Sequence, residues 1–237
     1  MGKPNRGNVT KLSIRLTEKA HKEVQRYGMM MNLSKAGVIL FALAKILKEN
    51  PTRTTVLNLE QKYTLEPTNF AMTIKKELAD KLADLTVEMD MNKNIWIGLL
   101  VSHYFESGKE AEVEEKSDPE FVAEIDRKLA LDPPDTSTDV FKIKVETNTE
   151  LKKKIVEFSE ENYIPLSGLV TYALLKGPSE TLPEYQEFET DYFFTRIPVT
   201  VYEQVKQKAD EMYLSDFKYM QLCLYNAFMG KDKVFDL

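Results

Sequence analysis

The stretch VTKLSIRLTEKAHKEVQRYG, residues 9–28, changes its rhythm partway along. Leu12, Ile14 and Leu16 alternate with Lys11, Ser13 and Arg15, the two-residue period of a strand with one buried face. From Thr17 the apolar residues fall instead at Ala20, Val24 and Tyr27, as on one side of a helix, with Thr17 placed as the cap and Glu18 in the first turn. A strand over 11–16 and a helix over 18–28 are therefore predicted. A turn around MMMNLS and a more apolar helix over 35–48 complete the unit, with Met29, Met30 and Met31 expected as packing between helices.

That unit recurs. Shifted by 58 residues without a gap, NFAMTI (69–74) is the strand, KKELADKLADLTVEM the first helix, DMNKN the turn and IWIGLLVSHYF the second helix, with Trp96 in its core face. A third copy reads VFKIKV (140–145), TELKKKIVEFSEENY, IPLS and GLVTYALLKG, with two extra residues after the strand. The fourth, YFFTRIP, VTVYEQVKQKADEMY, LSD and FKYMQLCLYNAFMG, matches the first at a shift of 181, which puts Arg196 where Arg15 sits and Ser215 where Ser34 sits.

A strand of six residues cannot satisfy its own backbone, and two helices cannot bury both apolar faces alone. Each unit needs a partner. Two units can pair their strands into an antiparallel ribbon whose apolar face covers four helices, leaving the alternate strand side chains pointing away. The fold class expected is mainly α with short two-stranded antiparallel ribbons.

At these residues the sequence resembles the ribbon-helix-helix family of DNA-binding proteins: KLSIRLTEKAHKEV with NLSKAGVILFAL in the first unit, and TRIPVTVYEQV with LSDFKYMQLCL in the fourth. The second and third units follow the pattern more loosely. The resemblance implies four ribbon-helix-helix units forming two intramolecular pseudodimers, with a ribbon that enters the major groove of double-stranded DNA. Its base-contacting positions, carried over to this chain, are Lys11, Ser13 and Arg15, then Asn69, Ala71 and Thr73, then Lys142 and Lys144, then Arg196. Lys and Arg donate to guanine, Asn reads adenine, and Ala and Thr touch a thymine methyl. Tyr192 and Phe194 also point outward, and there stacking or packing against a protein competes with base contact.

Phosphate contacts are expected at the starts of the second helices, where free N–H groups and a partial positive charge meet an anion. The residues concerned are Asn32, Ser34, Lys35, Asn92, Lys93, Ser167 and Ser215. Asp216 opposes this in the fourth unit, because its carboxylate competes for the same donors. Charge points the same way: net charge is −6, yet residues 1–50 hold ten Lys and Arg against three Asp and Glu. A ligand feels charge within about a Debye length, roughly 8–10 Å, so the first fifty residues act as a basic module.

Punctuation places the boundaries. A first pseudodimer is expected at 1–109 (units 9–48 and 69–107), an acidic linker with a short helix at 110–136, and a second pseudodimer at 137–237 (units 140–177 and 191–230), with a single fused tetramer-like body equally compatible. KENPTRTTVLNLEQKYTLEPT joins the first two units, with a short strand expected at Thr55–Leu59. PEFVAEIDRKLAL has helical spacing, with Pro119 in its first turn and Pro133 and Pro134 to stop it, and EAEVEE (110–115) reads as a solvated connector.

Nothing in the sequence favours catalysis or a cofactor. His21 and His103 are each isolated in a helix, no glycine spacing makes a phosphate loop, and the one cysteine, Cys223, lies between Leu222 and Leu224 as a buried thiol. No metal site is expected. The longest apolar run, Ala36–Leu47, contains Lys45 and is too short to span a bilayer, and MGKPNRGN lacks the apolar core of a signal peptide, so a cytoplasmic protein without a membrane partner is expected. The functional expectation is a sequence-specific duplex-DNA-binding repressor of plasmid or phage type. Its alternatives are a relaxosome accessory protein of conjugative transfer and an antitoxin-like interaction module. For the second pseudodimer, self-association and a docking protein are both left open.

Overall fold

The computed structural model describes residues 8–108, 115–131, 135–178 and 190–230. It is mainly helical, with two small two-stranded antiparallel sheets. A strand followed by two helices occurs four times in chain order. These are β1 (Val9–Arg15), α1 (Glu18–Met30) and α2 (Lys35–Lys48); β2 (Asn69–Lys75), α4 (Lys76–Met89) and α5 (Lys93–Glu106); β3 (Val140–Asn148), α7 (Thr149–Asn162) and α8 (Leu166–Lys176); β4 (Thr190–Pro198), α9 (Val199–Glu211) and α10 (Asp216–Phe228). Two helices lie between them, α3 (Arg53–Lys62) and α6 (Pro119–Leu129).

The same local chemistry turns the chain at each repeat. Asn32, Asp90, Tyr163 and Tyr213, at equivalent places between the two helices, all have positive φ, from 50° to 61°. This left-handed residue ends the first helix and turns the chain into the second. At Tyr163 and Tyr213 the conformation costs about 1–2 kcal/mol that Asn relieves more readily, which packing of the flanking helices offsets. Helix starts repeat as well: Thr17 accepts from the Ala20 N–H at 3.0 Å, and Asn148, its counterpart in the third repeat, accepts from Leu151 N–H at 2.7 Å.

Strand β1 pairs with β2, and β3 with β4. Ser13 faces Ala71 in the first pair, and Lys144 faces Phe194 in the second. Relative to the first repeat these four residues sit at shifts of 0, 58, 131 and 181, so both ribbons pair in the same register about the same central position. The ends match too: Lys76 N–H donates to Asn8 O at 2.8 Å, and Val199 N–H to Asp139 O at 3.0 Å.

Two expectations need correction. The third repeat has no insertion after its strand, because β3 runs on to Asn148 and the two residues, Glu146 and Thr147, belong to the strand ahead of the helix cap Asn148. The shift is then 131 throughout. Residues Thr55–Leu59 form no strand and lie within α3: Thr52 caps it, accepting from Thr55 N–H at 3.3 Å, and Val56 and Leu59 bury one face at helical spacing. Of the acidic linker, α6 starts at Pro119 after the Asp118 cap, whereas Pro133, Pro134 and residues 110–114 of EAEVEE lie outside the described residues.

Among the described residues, those within Met1–Val24 and Val38–Lys109 make one compact unit, and those within Gln25–Gly37 and Glu110–Leu237 another. In the first, the buried face of the ribbon (Leu12, Ile14, Met72, Ile74) meets a core of Trp96, Ile97, Leu99 and Val101 from α5. Burying each such side chain contributes about 1.5–3 kcal/mol. Trp96 reaches Thr86 Oγ1 with its indole N–H at 3.1 Å, so its one polar atom is satisfied. Thr17 ties ribbon to helix, its N–H donating to buried Ser102 Oγ at 3.1 Å and its hydroxyl bonding the Glu106 carboxylate.

In the second unit Ile143, Val145, Phe193 and Ile197 supply the inner ribbon face, over Leu169, Val170, Ala173 and Leu224. Cys223 is fully buried in α10, as its apolar neighbours suggested. The corner Gln25–Gly37 belongs to this unit: the space at Gly168 is filled by the Leu33 side chain, and Arg26 pairs with Asp126 of α6 at 2.9 Å. Met29, Met30 and Met31 are all buried. Among the described residues no single helix is long and apolar enough to cross a membrane.

Candidate nucleic-acid interface

In β1 the small and cationic residues are out and the aliphatic ones in. Lys11 and Ser13 are exposed and Arg15 half-buried, while Leu12 and Ile14 are buried. Strand β2 repeats this with Asn69, Ala71 and Thr73 exposed and Met72 and Ile74 buried. Antiparallel pairing then brings all six outward residues onto one face as Lys11 opposite Thr73, Ser13 opposite Ala71 and Arg15 opposite Asn69. The long side chains are held rather than waving: Lys11 Nζ donates to Thr73 Oγ1 at 3.0 Å and Arg15 Nε to Asn69 Oδ1 at 3.3 Å. Such cross-strand bonds hold the Lys11 and Arg15 side chains across the ribbon and pre-order their donors. At the centre the small residues Ser13 and Ala71 keep the face low.

The second ribbon has the same register and different chemistry. Lys142, Lys144, Tyr192, Phe194 and Arg196 are exposed on its outer face. Glu146, half-buried, stands opposite Tyr192 at the place Arg15 holds in the first repeat, a position that the assumed insertion hid. Its carboxylate takes the Lys144 ammonium at 2.7 Å. The neighbouring carboxyl, Asp191, bonds Lys152 at 2.9 Å, and that bond, helped by the Tyr192 N–H, holds it below the usual carboxylate range.

Helix starts differ in the same graded way. Ser34 caps α2, accepting from Gly37 N–H at 3.1 Å, with Lys35 exposed beside it. Both line an open cleft of about 280 Å³ with Asn32, Thr136 and Thr138, and the Asn32 amide donates to the Arg196 carbonyl at 3.4 Å. Asn92 precedes α5 without a side-chain cap bond, next to Lys93, and its carbonyl accepts from the Ile95 and Trp96 N–H groups at 2.9 and 3.1 Å. In the third repeat the cap is Pro165, and Ser167 lies two residues further on, inside α8. Ser215 caps α10, accepting from Lys218 N–H at 3.2 Å, and Asp216 does occupy donors there, accepting from Phe217 N–H at 2.9 Å and Tyr202 Oη at 3.2 Å. Anion-friendly helix starts thus belong to the first two repeats, where Lys35 and Lys93 stand in place of Leu166 and Asp216.

The two histidines lie apart, His103 bonded through Nδ1 to the Tyr63 hydroxyl at 3.0 Å and His21 3.7 Å from Glu66. Among the described residues no three His, Cys, Asp or Glu side chains are grouped to hold a metal ion. Comparison with protein-family models, curated proteins and solved structures finds no match.

Proposed function

We propose that the chain is a sequence-specific double-stranded DNA-binding protein built from four ribbon-helix-helix units in two intramolecular pseudodimers, and that it acts in the cytoplasm as a transcriptional repressor of plasmid or phage type. The observation that carries this reading is the outer face of the first ribbon, where Lys11, Ser13, Arg15, Asn69, Ala71 and Thr73 stand together over a helical bed. A two-stranded ribbon fits the major groove, and these side chains are donors and small contacts suited to base edges. Asn92 and Lys93, in the same unit as this ribbon, supply phosphate contacts that fix its register, and Ser34 and Lys35 at the start of α2 offer a further phosphate contact. Repression follows by occlusion of a promoter. Because the two strands of the ribbon carry different residues, the two half-sites need not match, and the operator is asymmetric.

The test is selection from random duplexes followed by a salt titration on the winner. Arg15→Ala should cost about 1–3 kcal/mol and relax sequence preference, while Lys35→Ala should weaken all sequences alike and reduce the salt slope by about 1. Duplex binding that is indifferent to Arg15→Ala would overturn the reading in favour of a protein-interaction module.

A further inference from the structure

The second ribbon keeps two large rings in water where the first has Asn69 and Ala71. Tyr192 is 50% exposed and Phe194 55%, side by side on the outer face with ring centroids 5.7 Å apart and planes at 78°. Each ring already holds a cation: Lys142 Nζ lies 4.7 Å from the Phe194 centroid and Lys144 Nζ 4.6 Å from that of Tyr192. Arg196 stands opposite Lys142 on the same face. The one carboxylate among the outward six, Glu146, is matched to Lys144.

We infer that this face binds single-stranded nucleic acid, with bases stacking on Tyr192 and Phe194 and with Lys142, Lys144 and Arg196 on the phosphates. Alternating rings and cations are what an unpaired strand needs, since every base offers a π-face and every link a negative charge. Duplex DNA fits poorly. Its bases repeat at about 3.4 Å and are stacked on each other, so one base cannot settle on each of two rings this far apart. The bulky Lys144 and Phe194 also occupy the centre, where Ser13 and Ala71 keep the first ribbon low. A protein partner fits less well than a nucleic acid, because lysine is depleted at the centres of protein interfaces and here lysines cover both rings. On binding, Lys142 moves from the Phe194 ring to phosphate, Lys144 exchanges both the Tyr192 ring and the Glu146 carboxylate for phosphate, and the ring faces pass to the bases.

This inference concerns the second ribbon alone, so it and the duplex reading of the first ribbon fail separately. The test titrates the full chain into fluorescein-labelled oligo-dT of about 20 nucleotides and, in parallel, a duplex of equal length, following anisotropy. The Tyr192→Ala, Phe194→Ala double variant should weaken oligo-dT binding by at least about tenfold, Phe194→Tyr should retain it, and Arg15→Ala should leave it unchanged. Irradiation of a 5-iododeoxyuridine oligonucleotide should cross-link Tyr192, a readout that needs no variant. Absence of oligo-dT binding at about 50 mM salt, indifference to the double variant, or loss that follows Arg15→Ala would each overturn it.

Discussion

Gly98 of α5 lies against the backbone of Arg15, so close that a Cβ placed on it would fall inside the van der Waals sphere of the Arg15 carbonyl oxygen. The ribbon is seated on α5 by this absence of a side chain. Backbone cannot yield as a side-chain tip can, so Gly98→Ala should destabilise the first unit by about 3 kcal/mol or more. Gly37→Ala is the contrast: its Cβ would meet side-chain atoms and no backbone, with Leu33 Cδ2 at 3.2 Å, Leu33 Cβ at 3.4 Å and Ser34 Oγ at 3.5 Å. Relief of the helical glycine penalty, about 1 kcal/mol, then leaves that change near neutral. Urea titrations of both variants check the difference, and equal midpoints would refute the seating argument.

Thr17 joins strand to helix through three bonds, to the Ala20 N–H, to Ser102 Oγ and to Glu106. Its hydroxyl takes part in two of them and is buried. Thr17→Val keeps the shape and removes the hydroxyl, and should cost about 1–2 kcal/mol, whereas Thr17→Ser should cost well under that. Thermal unfolding followed by circular dichroism separates the two.

Strand phase was legible in the sequence because Leu12 and Ile14 alternate with polar residues, and the outward set Lys11, Ser13, Arg15, Asn69, Ala71 and Thr73 follows from parity alone. Glu146 was not. Aligning VFKIKV with KLSIRL satisfies the apolar pattern at a shift two residues short, since period two leaves such slips unresolved, and only pairing with β4 fixes the choice. The segment at Thr55–Leu59 misleads differently. Its β-branched run has strand propensity, but Val56 and Leu59 are three apart and the Thr52 cap decides for a helix. That the corner Gln25–Gly37 belongs with the later half of the chain leaves no local mark in sequence, because Leu33 against Gly168 is a contact between residues far apart in the chain.

Cys223 gives a pH dependence. Burial pushes its thiol up from the ordinary 9.0 to about 12, against smaller opposite effects of the Tyr219 hydrogen bond and Lys208. The folded state therefore holds this proton more tightly than the unfolded chain, so stability is intact below about pH 9 and falls as pH rises toward 12. Burial raises the Tyr219 hydroxyl too, which adds a loss of the same sign. Cys223→Ala should flatten the decline between pH 8 and pH 10.5 without abolishing it, read as the shift in urea midpoint between the two. A thiol reagent at pH 8 should modify the native wild type only as fast as it unfolds.

The register of the first ribbon makes its asymmetry removable. Residues 69, 71 and 73 stand opposite Arg15, Ser13 and Lys11, and they are Asn, Ala and Thr where the first strand has Lys, Ser and Arg at equivalent places. Asn69→Lys, Ala71→Ser and Thr73→Arg together would give both strands the same outward chemistry about the Ser13–Ala71 centre. All three positions are exposed, so the core is untouched; the cost is the Lys11–Thr73 and Arg15–Asn69 bonds and new like-charge neighbours, about 1 kcal/mol in all. If base edges are read by this face, selection from random duplexes should change from an asymmetric site to two inverted copies of the half-site that Lys11, Ser13 and Arg15 contact. Each exchanged pair contributes about 1–3 kcal/mol of discrimination, enough to dominate the selected pool. An unaltered site in the triple variant would mean that sequence is read elsewhere, and the ribbon face would lose its role as reader.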